Sequence, residues 1–373
     1  MKFSIEKNIL LENLINVSKA ISTKTIIPIL NGIKFELTKE GLSLTASDSE
    51  LTIKTFIEKK QIKQIETEGT IILQSKFLID IIRKMPTDII NFEIMDGLKI
   101  NIYSENNQYN LNCLDPKEYP SVKLEFNKNP IILKSEILKT IINQTCFAIS
   151  TQELRPLLTG VNIKISGNIL DCIATDSYRL AKKTISLKET IKDEIDIVIP
   201  GKNLIELEKI IESNEEDIEI HSFNNKILFK YQNVLFQTNL LSGTYPDTNN
   251  LIPNEFEIII KNNNTTFYDA IDRAALLTQS KDKNIVKLRL EKNIMFIESF
   301  ASEIGKVEEK IPVELSKSSS IEISFSAKYM LEALRTIKDE EILILLNSDI
   351  KPIIIKSVKD ESLIQLILPI KTY

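Results

Sequence analysis

Three copies of a basic–acidic–basic triplet are the residues of this sequence best suited to contact a ligand. The first copy consists of Lys76, Asp80 and Arg83. Offsets of four and seven residues place these side chains on one side of a helix. Three such faces could bind the phosphates of a partner with a repeating backbone, such as duplex DNA, with little dependence on base sequence. The other copies follow at steps of 126 residues: Lys202, Glu206 and Lys209, then Lys328, Glu332 and Arg335.

A solvated helix face with internal ion pairs is the other interpretation of these triplets. A basic and an acidic residue four positions apart commonly pair on an exposed helix. Two details weigh lightly against it. A lysine in the first turn opposes the helix dipole, and a lysine that precedes its acidic partner has the poorer pair orientation. From the residues alone, the solvated face is still favoured over a DNA-binding surface.

The sequence offers no residue constellation for catalysis, for a metal or for a cofactor. Its one histidine, His221, precedes a polar stretch and is expected to be an ordinary surface residue. Cys113, Cys146 and Cys172 are far apart in apolar surroundings, which is typical of buried, reduced thiols in a cytosolic protein. No phosphate-binding loop or dinucleotide fingerprint is present. We therefore expect neither an enzyme nor a bound cofactor.

Composition and net charge limit the classes of protein to which this chain can belong. The chain has 373 residues, 43% hydrophobic and 27% charged, the proportions of a globular protein of two or three domains. A net charge of −5 argues mildly against a nucleic-acid-binding protein, although a basic face can lie within an acidic whole.

No apolar stretch is long enough to span a membrane, and the N-terminus lacks a signal-peptide core. We therefore expect a cytoplasmic protein.

The triplets lie on a helix that is itself repeated. Its apolar positions in the first copy are Leu78, Ile81 and Met85, with the +3 and +7 spacing of one helix face. A second helix precedes it in every copy, with stripes that begin at Leu10, Leu138 and Phe267. The apolar positions equivalent to the first copy are Leu204, Leu207 and Ile211, then Met330, Ala333 and Ile337.

Alternating apolar stretches between the helices predict strands. One strand is expected at residues 32–37, 160–165 and 285–290, and another at 42–46, 170–174 and 295–300. Each third then holds two helices and roughly eight strands, an α+β unit with helices on one face of antiparallel sheet. Asn, Pro and charged residues concentrate between the thirds. The predicted domains are residues 1–125, 126–252 and 253–373.

Five segments carry a resemblance to a known family through their order and spacing: residues 25–30, 158–161, 174–180, 245–247 and 368–370. No single segment is decisive, but their order and spacing are specific. Over its whole length the sequence resembles the beta subunit of bacterial DNA polymerase III, the replicative sliding clamp. The resemblance implies three tandem domains of the DNA-clamp fold and a head-to-tail homodimer that closes into a six-domain ring around duplex DNA. It implies a non-catalytic processivity factor that tethers the polymerase alpha subunit, the clamp loader and other proteins with clamp-binding motifs.

The same resemblance implies three sets of site residues. Two copies would meet through Tyr109 and Leu111 on an edge strand and Leu276 and Leu277 on a facing helix. Duplex DNA would meet Lys24, Gln152 and Arg155 in addition to the basic members of the triplets, Lys76, Arg83, Lys202, Lys209, Lys328 and Arg335. Partner peptides would bind a groove formed by Leu158, Thr175, Ser177, Tyr178, Arg179, Leu180, Pro246, Asn250, Leu251, Leu368, Pro369, Ile370 and Lys371.

The sequence departs from the family in the groove and in one loop. Ser177 and Tyr178 stand where family members often have Gly-His, and Asn250 stands where a basic residue is common. Pro156 and Leu157 replace the aromatic residues that family members have after the loop of Gln152 and Arg155. The C-terminal tail also continues past the usual end of the family, to Tyr373. Two alternatives stay open: an interaction scaffold that never encircles DNA, and an enzyme with an unusual carboxylate pair.

Overall fold

Residues 1–22, 27–95, 98–278, 284–315 and 320–371 are described by the structure, a computed structural model of the chain. The chain divides into two units, residues 1–137 with 206–240 and residues 138–205 with 241–373. Each unit contains helices and antiparallel sheets, which confirms the predicted α+β class. Among the described residues, no helix combines the length and the apolar character that crossing a bilayer requires.

Two helices occur in each third of the chain, as the repeated apolar stripes predict. The first helix of the third copy has a side-chain cap, because the Asn263 carboxamide accepts a hydrogen bond from the N–H of Thr266 at 2.9 Å. The first helix of the chain begins and ends slightly earlier than its stripe suggests. The helices are α1 Lys7–Ser18, α2 Ser75–Lys84, α3 Ser135–Thr145, α4 Gly201–Glu208, α5 Asn264–Ala275 and α6 Ala327–Arg335.

Strands supply most of the remaining structure, and their side chains mostly alternate between buried and exposed as a two-residue period requires. They are β1 Lys2–Glu6, β2 Gly32–Leu37, β3 Gly41–Ser47, β4 Leu51–Glu58, β5 Ile62–Thr67, β6 Gly69–Gln74, β7 Ile89–Met95, β8 Lys99–Tyr103, β9 Gln108–Asn112, β10 Ile131–Lys134, β11 Gly160–Thr175, β12 Arg179–Pro200, β13 Asp217–Ser222, β14 Lys226–Tyr231, β15 Val234–Asn239, β16 Ile258–Asn263, β17 Ile285–Glu291, β18 Ile294–Ala301, β19 Gly305–Pro312, β20 Glu314–Leu315, β21 Ile321–Ser326, β22 Glu341–Leu346, β23 Ile353–Ser357 and β24 Leu363–Ile367.

The first unit contains two sheets. One has the order β5-β1-β7-β8-β9, and the other has the order β10-β13-β14-β15-β4-β3-β2-β6. The larger sheet joins two repeats, because β15 of the middle repeat pairs antiparallel with β4 of the first, with Val234 opposite Thr55. Strands of the middle repeat thus extend a sheet that the first repeat begins.

The second unit repeats this arrangement with the other half of the middle repeat. Its sheets have the orders β11-β12-β24-β23-β22-β16-β20 and β19-β18-β17-β21. The joint is the antiparallel pairing of β12 with β24, in which Arg179 lies opposite Ile367. The strands predicted at residues 160–165 and 170–174 both lie within β11, whose register is irregular on either side of Gly167.

Buried apolar side chains fill the space between helices and sheets in each unit. In the first unit the rings of Phe3 and Phe92 stack with centroids 4.8 Å apart. In the second, Phe267, Ile271 and Met330 are fully buried in one cluster. Burial of each such side chain stabilises the fold by about 1.5–3 kcal/mol. The predicted stripes of the repeated helices are mostly buried. The exceptions are half-buried: Ile21 and Ile149 at the ends of the stripes that begin at Leu10 and Leu138, and Ile81 in α2, where Ile82 is buried instead.

His221 corrects one prediction from the sequence. It is 2% exposed rather than on the surface. Its Nδ1 accepts a hydrogen bond from the backbone N–H of Asn127 at 2.9 Å, and its ring meets Phe126 edge-on at 5.2 Å. The residues that cover His221 are distant in sequence, so local polarity did not predict its burial. The expectation of buried thiols is confirmed, because Cys113, Cys146 and Cys172 are all free and buried.

Two threonines on β4 give a test of how buried hydroxyls affect this fold. Within the described residues, the fully buried Thr55 hydroxyl has no hydrogen-bond partner, whereas the Thr52 hydroxyl shares a 2.8 Å hydrogen bond with Ser47. We expect Thr55→Val to raise the free energy of unfolding by about 1 kcal/mol and Thr52→Val to lower it by about as much. Urea unfolding followed by circular dichroism measures both. Equal effects of the two changes would contradict the assignment.

Candidate functional site

The turn between β11 and β12 carries four of the thirteen residues predicted for the groove, and we call residues 175–179 the groove turn. Asp176 Oδ1 accepts hydrogen bonds from the backbone N–H groups of Tyr178 (2.9 Å) and Arg179 (3.0 Å). Ser177 has a φ of 77°, which is uncommon for a residue other than glycine. Its N–H donates to Thr175 Oγ1 at 3.2 Å. Local hydrogen bonds therefore hold a backbone conformation that costs about 1 kcal/mol or more.

The side chain of Arg179 is buried within the protein. It is 8% exposed, and Nε donates to Asp176 Oδ2 at 3.1 Å while Nη2 donates to the Phe147 carbonyl at 2.6 Å. Nη1 forms an ion pair with Glu332. The guanidinium lies over the rings of Phe147 (5.2 Å) and Tyr329 (4.5 Å). Each of its three guanidinium nitrogens thus already takes part in a contact that fixes the groove turn.

Leu158 and Leu180 are predicted groove residues that the structure buries, at 4% and 1% exposure. Leu180 belongs to an apolar cluster with Ile173, Ile354 and Leu366. Because Leu180 follows the groove turn directly, this cluster gives the turn an apolar support. Neither leucine presents a free surface in this conformation.

Tyr245 connects the groove turn to the stretch that follows the middle repeat. Its phenol oxygen accepts a hydrogen bond from the N–H of Thr175 at 3.1 Å, and burial raises the pKa of this phenol. Pro246 and Asn250, which come next along the chain, are exposed, and Leu251 is 46% exposed. An apolar side chain is therefore accessible a few residues after the Tyr245 anchor.

The C-terminal segment meets the groove turn through its backbone. The N–H of Leu368 donates to the Tyr178 carbonyl at 2.9 Å, and the N–H of Ile370 donates to the Ser324 carbonyl at 2.7 Å. Leu368 is 37% exposed. The structure therefore brings together the turn and the C-terminal segment, as predicted. Of the other members of this segment, Pro369 and Ile370 are half-buried and Lys371 is exposed.

Two residues outside the predicted set are an aromatic one that contacts the groove turn and an exposed apolar one elsewhere in the third repeat. The ring of Tyr329 stacks on that of Tyr178 at 6.5 Å with an interplanar angle of 24°. Burial, followed by the charge of Asp176, raises the pKa of Tyr329. Ile350, in the β22–β23 connection, is 58% exposed. Of these two residues, Tyr329 alone could have been noticed in the sequence. It follows Lys328 in the repeated helix as Phe77 follows Lys76, so an aromatic residue recurs at this position.

The basic members of the triplets are all exposed in the structure: Lys76, Arg83, Lys202, Lys209, Lys328 and Arg335. The acidic members of the first two copies pair with the basic residue three positions later, at 2.9 Å for Asp80–Arg83 within α2 and 2.6 Å for Glu206–Lys209 at the end of α4. These pairs span three residues rather than the expected four. Exposed pairs of this kind contribute about 0–1 kcal/mol, so the helix faces stay open to a stronger anion.

The other residues predicted to contact DNA differ in where they lie. Gln152 and Arg155 are exposed, and Arg155 Nη1 donates to Ser177 Oγ at 3.2 Å. Arg155 therefore contacts the groove turn, which its assignment to DNA alone did not anticipate. Lys24 lies outside the described residues.

Residues predicted for the contact between copies lie at sheet edges or helix ends. Tyr109 (36% exposed) and the half-buried Leu111 are on β9, an edge strand of its sheet. Leu276 (62% exposed) and the half-buried Leu277 follow the last residue of α5 instead of lying within the helix. An exposed edge strand and an exposed leucine are both unfavourable in water, which is consistent with a contact surface.

The described residues contain no group of His, Cys, Asp and Glu side chains that could hold a metal ion. Burial raises the pKa of Cys113 to about 11 and raises that of Cys172 as well. A thiol with a raised pKa is a poor nucleophile at neutral pH. The cysteines are therefore suited to packing.

Three family models match the chain one after another. They describe the N-terminal domain of the DNA polymerase III beta subunit at residues 1–123, its central domain at 132–247 and its C-terminal domain at 249–371. Together they cover nearly all of the chain.

Full-length relatives give the same result. The chain is 42% identical over 378 residues to the beta sliding clamp of Bacillus subtilis (strain 168), and 40% identical over 377 residues to that of Staphylococcus aureus (strain Mu50 / ATCC 700699). Both alignments cover 100% of either protein. A crystal structure of the DNA polymerase sliding clamp from Bacillus subtilis, 41% identical, matches with a TM-score of 0.96 and covers 100% of both chains.

The Tyr245 anchor leads to a prediction about stability. Tyr245→Phe removes the acceptor for the N–H of Thr175, so we expect the free energy of unfolding to fall by about 1–2 kcal/mol. Chemical unfolding followed by circular dichroism measures the loss. Tyr178→Phe is the control, because that ring is 63% exposed and the change should have little effect. A Tyr245→Phe protein as stable as the control would rule out an anchoring role.

Proposed function

We infer that this chain, which belongs to the DNA polymerase III beta subunit family, is a DNA sliding clamp. It encircles duplex DNA as a homodimer and tethers the replicative polymerase, so that the polymerase stays on its template. It is a non-catalytic processivity factor. The observation that carries this conclusion is the full-length likeness to Bacillus subtilis sliding clamps in sequence and structure, at 42% identity and a TM-score of 0.96.

We propose three clamp domains at residues 1–125, 126–252 and 253–373. The family matches at 1–123, 132–247 and 249–371 support this division. Each domain supplies one copy of the basic helix, on α2, α4 and α6. A clamp of this family works on chromosomal DNA, so we also propose a cytoplasmic location.

The proposed DNA surface consists of the exposed basic residues of those helices together with Gln152, Arg155 and Lys24. Arg83 and Lys209 form weak surface ion pairs with Asp80 and Glu206. A DNA phosphate can replace these carboxylates. Contacts to phosphates carry no sequence information, as a protein that moves along DNA requires. A closed ring needs little affinity per contact, because it dissociates only by opening.

The proposed peptide groove combines the groove turn, the stretch after Tyr245 and the C-terminal segment. Its accessible apolar members are Tyr178, Leu251 and Leu368, at 63%, 46% and 37% exposure. Apolar side chains with a few fixed polar groups are typical of surfaces that bind short peptides. We expect the occupants to be segments of the polymerase alpha subunit, of the clamp loader and of other proteins with clamp-binding motifs.

The proposed contact between copies is head-to-tail. It joins β9 with Tyr109 and Leu111 of one copy to the end of α5 with Leu276 and Leu277 of the other. β9 is an edge strand, and so is β19 in the sheet that α5 packs against. Pairing of these edges would satisfy backbone groups that otherwise face water. A head-to-tail contact gives a closed ring only when its rotation fits.

Retention on DNA tests the ring directly. We expect protein loaded onto nicked circular DNA by a clamp loader to stay bound through gel filtration, and to be released when a restriction enzyme linearises the DNA. The physical reason is that a closed ring leaves a circle only by opening but slides off a free end. Gel filtration of the labelled protein with each DNA measures this. Equal retention on both forms would exclude topological binding.

Two lysine substitutions separate the groove from the contact between copies. Leu251→Lys should weaken binding of a polymerase-derived peptide at least tenfold and leave the dimer intact, because a charge in an apolar subsite loses about 1.4 kcal/mol or more. Leu276→Lys should convert the dimer to a 42.6 kDa monomer that still binds the peptide. Light scattering and fluorescence anisotropy measure the two properties.

Each variant is the control for the other. Both leucines are exposed, at 46% and 62%, so neither change should unfold the chain. If Leu251→Lys dissociated the dimer, or if Leu276→Lys abolished peptide binding, the two sites would be wrongly assigned.

A further inference from the structure

The third copy of the triplet departs from the first two in its ion pairs. Asp80 and Glu206 each pair with the basic residue three positions later, Arg83 in the same helix and Lys209 directly after the helix end. Glu332, at the same position of the repeat, pairs instead with Arg179 of the groove turn. Its own helix neighbour Arg335 donates from Nε to Tyr268 Oη at 2.7 Å. The acid of the third helix is thus used in a contact between α6 and the turn.

Arg179 is enclosed by groups that fix it in one position. Two carboxylates, one carbonyl and two aromatic faces surround the guanidinium. An arginine with planar, directed donors loses little further freedom in such a site. A buried arginine also needs its carboxylates, because an uncompensated buried charge is strongly unfavourable.

Ser177 and Tyr178, which precede Arg179 in the groove turn, depend on other residues for their position. Ser177 holds its left-handed conformation next to the exposed ring of Tyr178, which stacks on Tyr329. Tyr329 and Glu332 are one helical turn apart on α6, so the helix supplies both the aromatic face and the carboxylate. Movement of α6 or loss of its carboxylate would therefore be transmitted to Tyr178.

We propose that Arg179 is a positioning residue that ties the peptide groove to α6 through Glu332, rather than a peptide contact. The pair sets the position of Tyr178 and so the affinity of the groove for apolar peptides. Because α6 also carries Lys328 and Arg335, occupation of the groove and contacts at the basic face of this helix are linked. The inference rests on the proposed function, since it specifies how that groove is held.

Glu332→Gln is the test, because it removes the charge and keeps the shape. Glu206→Gln and Asp80→Asn are matched controls, since they change the same repeat position where the acid pairs with the basic residue three positions later. The probe is a fluorescein-labelled synthetic peptide with the clamp-binding segment of a DNA polymerase III alpha subunit, followed by anisotropy with the dimeric protein. The chain contains no tryptophan, so Tyr178→Trp in each background adds one fluorophore that reports on the turn.

We expect Glu332→Gln to raise the peptide Kd about tenfold, the effect of losing one charge-assisted contact. The tryptophan at position 178 should emit at longer wavelength and rotate more freely, while the dimer mass and circular dichroism stay unchanged. The two controls should bind as the unchanged protein does. If Glu332→Gln does not fold, Glu332→Asp, which keeps the charge but withdraws it by one methylene, must change both signals in the same direction.

A lower melting temperature with unchanged Kd and unchanged tryptophan emission would overturn the proposal, because Arg179 would then have only a structural role. An equal loss of peptide affinity in the Glu206→Gln control would overturn it as well. Failure of the unchanged protein to bind the peptide would instead reject the groove itself, and the inference with it.

Discussion

The pairing of strand edges between successive repeats is the constraint on which the rest of this structure depends. Each repeat contains edge strands whose backbone groups would face water if left alone. Pairing of β4 with β15 and of β12 with β24 satisfies these edges. As a result, strands of the middle repeat belong to two different sheets, one begun by the first repeat and one completed by the third. The sequence repeat is threefold, but hydrogen bonding groups the strands in another way.

An acidic chain can hold basic faces, because the exposed lysines and arginines of the triplets lie in or directly beside α2, α4 and α6. The net charge of −5 describes the sum over all residues, whereas binding of a polyanion depends on local charge. Among the acidic members of the three triplets, Glu332 forms its ion pair with a buried arginine, whereas Asp80 and Glu206 pair with the basic residue three positions later.

Local patterns predicted most of the fold and part of the site. The apolar stripes of the repeated helices predicted six helices and nearly all of their buried residues. This was possible because helix periodicity depends on residues only three or four positions apart. Exposure of the triplet cations was likewise predictable. Local patterns failed where distant residues decide the outcome. His221 is covered by residues 126–127, and Arg179 is neutralised by Glu332, 153 positions away. Neither partner can be identified from neighbouring residues.

Arg179 shows why the groove lies at a joint between repeats. Its backbone pairs with Ile367 across the β12–β24 joint, and its side chain reaches α6, which packs on β24. The N–H of Leu368 then bonds to Tyr178, one residue before Arg179. A single residue therefore fixes sheet, helix and turn at one place. Apolar side chains such as Tyr178 and Leu368 can stay exposed there because backbone pairing, rather than their own burial, holds the segments that carry them. If this surface binds peptides as proposed, it is already formed before a peptide arrives, which lowers the entropic cost of binding.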